Sequence, residues 1–162
     1  MIEKVLPAIR ARWPREDANK PLFIQQDNAP SHVAPNDSLF CEAAKQDGFD
    51  IRLILQPPNS PDLNILDLGF FSSIQSIQYK SSAKKPEELV AAMEKAFEDY
   101  PVSKLNRIFL TLHSCMSEIM KADGGNRYNI PHLKKSMLER QGILPLQLKC
   151  DATLVNNVMA QV

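Results

Sequence analysis

A chain of 162 residues with 44% hydrophobic content is long enough for one packed domain and short for two. Its 19 basic and 19 acidic residues cancel to a formal charge of zero, which excludes a globally basic nucleic-acid binder and leaves such contacts to local patches. Cys41, Cys115 and Cys150 lack zinc-type spacing and predict free, mostly buried thiols; with no apolar run of membrane-spanning length, the expectation is a soluble intracellular protein without a membrane partner.

Ile2, Val5, Leu6, Ile9 and Trp13 recur at three and four residues, which predicts an amphipathic helix ended by Pro14, with Trp13 in the core. Residues 15–20 are polar and read as a loop. Leu22-Phe23-Ile24 then opens a buried strand over 22–27, turned away by Asn28-Ala29-Pro30. Leu39, Phe40, Ala43 and Ala44 mark one face of a helix capped at Asp37 or Ser38 and stopped by Gly48. Ile51-Arg52-Leu53-Ile54-Leu55 is the second strand, and a helix between two strands predicts a right-handed βαβ crossover. Gln56-Pro57-Pro58-Asn59-Ser60-Pro61 lacks the amide donors a sheet needs and forms a stiff loop before a helix that carries Asp67.

Beyond residue 80 the pattern is helical. Pro86-Glu87-Glu88 suits a helix start, with Leu89, Val90, Met93 and Phe97 as its buried stripe. After Pro101, the positions Leu105, Ile108, Phe109, Leu112, Met116, Ile119 and Met120 give the clearest amphipathic helix, read as core packing. Gly124-Gly125 lies in a loop, 131–141 reads as a final helix stopped at Gly142, and Pro145 argues against a central strand over Leu144–Leu148. The residues after Leu148 show no assignable pattern. The expected organisation is an α/β core over 1–80 and a mainly helical extension over 81–162.

Two aspartates carry the functional information. Asp27 closes the first strand, Asp67 lies in the opening turns of the later helix, and residues 28–66 separate them. Carboxylates so placed can meet at one end of a parallel sheet and supply the hard oxygen ligands that magnesium prefers. Each also has a structural reading: Asp27 as the start of an Asx turn into Asn28-Ala29-Pro30, Asp67 as the third residue of a capping box begun by Asn64.

The string Gln25-Gln26-Asp27-Asn28-Ala29-Pro30-Ser31-His32 resembles the second-aspartate motif of mariner-like DNA transposases. Pro57-Pro58-Asn59-Ser60-Pro61-Asp62-Leu63-Asn64-Ile65-Leu66-Asp67 resembles their third-carboxylate motif. Aspartate at that third position and the spacing between the two resemble the plant and water-mould branch, and similarity extends from Lys4-Val5-Leu6-Pro7-Ala8-Ile9 to Ile130-Pro131-His132. Related motifs often carry proline and an apolar residue where Ile65 and Leu66 stand.

The resemblance implies a partial RNase H-like α/β fold with two parallel strands retained, Mg2+ or Mn2+ held by Asp27 and Asp67, and DNA as partner in a nuclear cut-and-paste reaction. In that family a first aspartate sits on a central strand before the helix that opens this chain, and Asp17, Asp37 and Asp62 occupy no equivalent strand. The expectation is therefore a C-terminal part of the catalytic domain, inactive alone, whose exposed sheet edge favours a marginal, dimeric or insoluble state. The alternative is a non-catalytic module that binds full-length transposase or another protein.

Lesser candidates are His32, close in sequence to Asp27, as a phosphate or water contact or a turn-stabilising residue, and His113 and His132 as structural or exposed residues. Asp62 reads as a loop or helix-start acceptor. Lys80, Lys84 and Lys85 make one basic patch and Lys134 and Lys135 another, each a phosphate contact or a solvated helix face.

Overall fold

Pro21–Gln26 (β1) and Asp50–Leu55 (β2) pair in parallel, in register from Pro21 opposite Asp50 to Gln26 opposite Leu55. The connection between them contains the helix Ser38–Ala44 (α2), so the expected βαβ unit is present. This is a computed structural model that describes residues 1–79 and 85–161. Its packing divides the chain into Met1–Pro58 and Asn59–Val162. The boundary expected at residue 80 falls outside the described residues, as do Lys80 and Lys84.

In the first unit, Val5–Arg12 (α1) ends where Pro14 forces Trp13 into an extended conformation, ψ 137°. Leu6 is fully buried, but Trp13 is 44% exposed, so the helix contributes less to the core than its spacing predicts. Asp37 caps α2 by accepting the Phe40 N–H at 2.8 Å. A short helical turn, Gln46–Gly48, follows α2, and Gly48 adopts the left-handed conformation, φ +79°, that releases the chain into β2. Leu6, Leu22, Phe40, Ala44, Phe49, Ile51 and Leu53 form one buried cluster. The opposite sheet face is open, with Phe23 54% and Ile54 39% exposed, whereas parallel strands are ordinarily covered on both faces.

In the second unit, helical turns at Pro61–Leu63 and Leu66–Phe70 lead into Phe71–Gln78 (α3). They are followed by Pro86–Glu98 (α4), Val102–Lys121 (α5), Lys135–Arg140 (α6) and Ala152–Met159 (α7). The stripe expected to be buried on α4 is not. Leu89, Val90, Met93 and Phe97 are exposed and only Ala96 is buried, although the Phe97 ring meets Phe70 edge-on at 5.9 Å between centroids. On α5 the buried positions are Ile108, Leu110, Ser114 and Cys115. Phe109 and Met116, expected in the core, are exposed.

The helix expected over 131–141 is confined to Lys135–Arg140, since Lys134 takes φ +48° and interrupts any earlier start. It does stop at Gly142, whose N–H bonds Glu139 O while Ile143 N–H bonds Leu138 O, the paired bonds of a Schellman ending. Helix α7 lies in the stretch left without assignment, and Asp151 caps it through the Leu154 N–H at 3.0 Å. No helix among the described residues is long and apolar enough to cross a membrane.

Of the three free thiols, Cys115 is buried, Cys41 intermediate and Cys150 exposed, which corrects the expectation of mostly buried cysteines. Desolvation, with the Asp62 charge adding to it, pushes the Cys115 thiol up and disfavours its thiolate. In native alkylation followed by mass spectrometry, Cys150 should react first and Cys115 last. Phe40, 1% exposed, should cost about 3–5 kcal/mol as Phe40→Ala, and Asp37→Ala about 1 kcal/mol, both measured by urea unfolding.

Candidate functional site

Asp27 follows the last residue of β1, at the end of the parallel pair where ligands gather in open α/β sheets. The ladder continues one step past the strands through Gln56 N–H to Gln26 O at 2.8 Å. Asn28 Nδ2 then donates to Gln56 O at 2.9 Å, tying the exit of β1 to the exit of β2 on both sides of Asp27. Buried Gln26 adds a bond from Nε2 to Val33 O at 2.5 Å, which holds the returning loop.

The Asp27 carboxylate itself is exposed, 56% by side chain. Its Oδ1 accepts the Ala29 N–H at 2.9 Å, the Asx turn that the sequence allowed. His32 Nδ1 stands 2.9 Å from the same oxygen and 3.1 Å from the Asp27 carbonyl oxygen. His32 N–H also bonds Ala29 O at 3.0 Å, so this histidine both closes the turn and touches the carboxylate.

Asp67 belongs to the Asn59–Val162 unit and sits in the wide turn Leu66–Phe70, where Phe71 N–H reaches back to Leu66 O. Asn64, in an extended conformation, acts as the cap. Its Oδ1 accepts from Leu66 N–H at 3.0 Å, and its Nδ2 donates to Asp67 Oδ2 at 2.8 Å. Asn64 is thus a cap but not the start of the capping box expected from sequence, because its N–H bonds Pro61 O and its Nδ2 is the donor to Asp67. Asp67 is exposed. Gly69 of the same turn stands against Ile108 on α5, which seats the Asp67 turn on the longest helix.

Positioning residues beyond the two motifs were not evident in sequence. Tyr128 Oη donates to Asp62 Oδ2, and Asn126 Nδ2 reaches Asn59 O at 3.4 Å. The glycine-containing loop thus returns to the segment that introduces Asp67. Asp62 is an acceptor, as expected. The only local signal for this tie was a tyrosine in an otherwise polar loop, and spacing does not reveal its target.

His113 Nδ1 accepts from Leu148 N–H at 3.4 Å and His132 Nδ1 from Lys134 N–H at 3.3 Å; His113 is half-buried and His132 exposed. Among the described residues, no three or more His, Cys, Asp or Glu side chains gather in a group able to hold a metal ion. No protein-family model, curated protein or solved structure gives a significant match to this chain.

Asn64→Ala removes both side-chain bonds at the start of the Asp67 turn. It should lower stability by about 1 kcal/mol and accelerate hydrogen exchange at the Leu66 amide, read by NMR, while Asn64→Asp should preserve the Leu66 protection.

Proposed function

We propose that the chain is the C-terminal part of the catalytic domain of a mariner-like DNA transposase, with an RNase H-like core, acting on DNA through Asp27 and Asp67. The observation that carries this reading is Asp27 at the carboxyl end of a strand in a parallel βαβ unit, beside the clamp from Asn28 to Gln56. Ligand sites of open α/β sheets lie outside that end of the strands.

The donor chemistry suits a divalent ion in kind. Both carboxylates are exposed, each is oriented by a neighbouring polar side chain, and the bonds to Asp27 fall on Oδ1, leaving Oδ2 outside them. Mg2+ or Mn2+, when bound, activates the attacking oxygen and steadies the leaving oxygen of a phosphodiester. Asp27, held by the sheet, and Asp67, held by the Asn64 cap, would each supply one carboxylate to such an ion. His32, on the same oxygen of Asp27, orients that carboxylate.

Asp27→Asn and Asp67→Asn should each abolish Mn2+-dependent nicking of supercoiled DNA and weaken Mn2+ binding followed by calorimetry. Unchanged nicking and unchanged binding in both variants would falsify the assignment.

A second reading, a non-catalytic module for a second copy or for full-length transposase, is favoured by the outward stripe on α4. Val90 is 57% and Phe97 65% exposed, more than scattered surface apolar residues would explain. Under that reading Val90→Glu with Phe97→Glu should turn a concentration-dependent oligomer into a monomer in sedimentation velocity, and the aspartate variants should leave association intact.

A further inference from the structure

Two adjoining clefts in the Asn59–Val162 unit, of about 460 and 400 Å³, share Arg107, Thr111 and Lys135. The larger lies between α5 and residues 130–140 and adds Lys134 and Arg140; the smaller adds Lys104 and the hydroxyls of Ser72, Ser73 and Ser76. Among the described residues no carboxylate lines either cleft. A chain of zero net charge therefore concentrates cations in one place, with hydroxyl donors beside them.

The partners of these cations sharpen the point. Lys135 Nζ donates to Arg107 O at 2.7 Å and to Thr111 Oγ1; its acceptors are neutral. Desolvation and the nearby Arg107 charge lower its pKa, so the ammonium is held in the cleft at a cost that an anion would relieve. Arg107 Nη2 donates to Ser136 Oγ at 2.7 Å and Nη1 to Glu139 Oε2 at 3.3 Å, which fixes its planar fork beside Lys135 while one acid offsets part of the charge. Fixed guanidinium, lysine and hydroxyl groups together are the donors that recognise phosphate oxygens.

We propose that these joined clefts bind the phosphodiester backbone of a nucleic-acid strand. The clefts are contiguous and open to solvent, which suits a polymer with repeated phosphates better than a single enclosed phosphate. The choice of DNA as that nucleic acid rests on the transposase reading above; the binding of a phosphate backbone does not.

The full chain should bind a fluorescein-labelled single strand of about 20 nucleotides, measured by anisotropy in EDTA so that metal-dependent cleavage plays no part. The triple variant Lys104→Gln, Lys134→Gln, Arg140→Gln alters only exposed side chains. It should weaken binding by about tenfold or more and reduce the slope of log affinity against log salt by roughly 0.7 for each phosphate that the protein no longer neutralises. Lys135→Met should weaken binding too, with circular dichroism confirming the fold. The control Lys4→Gln, Arg12→Gln, Lys45→Gln removes equal charge from the other unit and should bind as wild type.

Equal losses in control and cleft variants would overturn the assignment, as would an unchanged salt slope in the cleft variants. Saturable binding of inorganic phosphate with no gain for the oligonucleotide at matched phosphate concentration would also overturn it, in favour of a free-anion site. Because the assay contains no metal and leaves Asp27 and Asp67 intact, failure of the transposase reading leaves its outcome unaffected.

Discussion

The parallel pairing of β1 with β2 is the constraint on which the Asp27 site depends. Side chains on paired strands alternate, so the register that places Leu22, Ile51 and Leu53 in the buried cluster also determines where β1 ends and which residue follows it. A shift of one residue would bury Phe23 and Arg52 and carry the motif out of position. The ladder is extended by Gln56 to Gln26 and closed by Asn28 to Gln56. Asp27 is thereby held between a backbone bond at Gln26 and a side-chain bond at Asn28, while its own carboxylate is 56% exposed. The bonds that orient the Asp27 side chain fall on Oδ1 and leave Oδ2 outside them, an arrangement suited to a ligand-binding carboxylate.

In the second unit α5 has the corresponding role. Its buried positions Ile108, Leu110, Ser114 and Cys115 include a serine and a cysteine, small enough to admit close neighbours. Gly69 stands against Ile108, and elsewhere on α5 Asn106 Nδ2 donates to Pro145 O at 3.1 Å. The Asp67 turn is therefore backed by a helix rather than suspended in a loop. A catalytic or ligand-binding carboxylate on a wide helical turn gains definition from such backing, since the turn itself lacks the regular bonds of an α-helix.

The elements set by local rules were legible in sequence. Both strands, the Asp37 cap, the helix begun by Pro86 and the long helix after Pro101 follow from periodicity and capping, whereas the helix expected to stop at Gly48 ends at Ala44, ahead of a short separate turn. What periodicity does not contain is which apolar face finds a partner. Leu89, Val90, Met93 and Phe97 repeat as a core stripe repeats, yet Ala96 is the buried residue and Phe97 meets Phe70 only at its edge. Trp13 has helical spacing too, but Pro14 turns the backbone extended at that residue and leaves the indole at the surface. At the candidate site both structural readings, the Asx turn and the asparagine cap, were visible from residue type. They do not exclude ligation, because each uses one carboxylate oxygen. The Tyr128 to Asp62 bond joins distant sequence positions, and no local pattern encodes such a tie.

Charge is the property for which the whole-chain number says least. A formal total of zero describes a sum, whereas a bound anion responds to the charges within about 10 Å at ordinary ionic strength. Lys135 shows how a local excess persists in a neutral chain. As a residue on a short exposed helix it reads as solvated, but φ +48° at Lys134 changes the path into that helix, and the ammonium turns to the Arg107 carbonyl and Thr111. Neutral acceptors satisfy its hydrogen bonds without cancelling its charge. An ion pair would have done both, so hydrogen bonding and electrostatic balance are separated at this residue, and the uncancelled part is the feature that a phosphate can use.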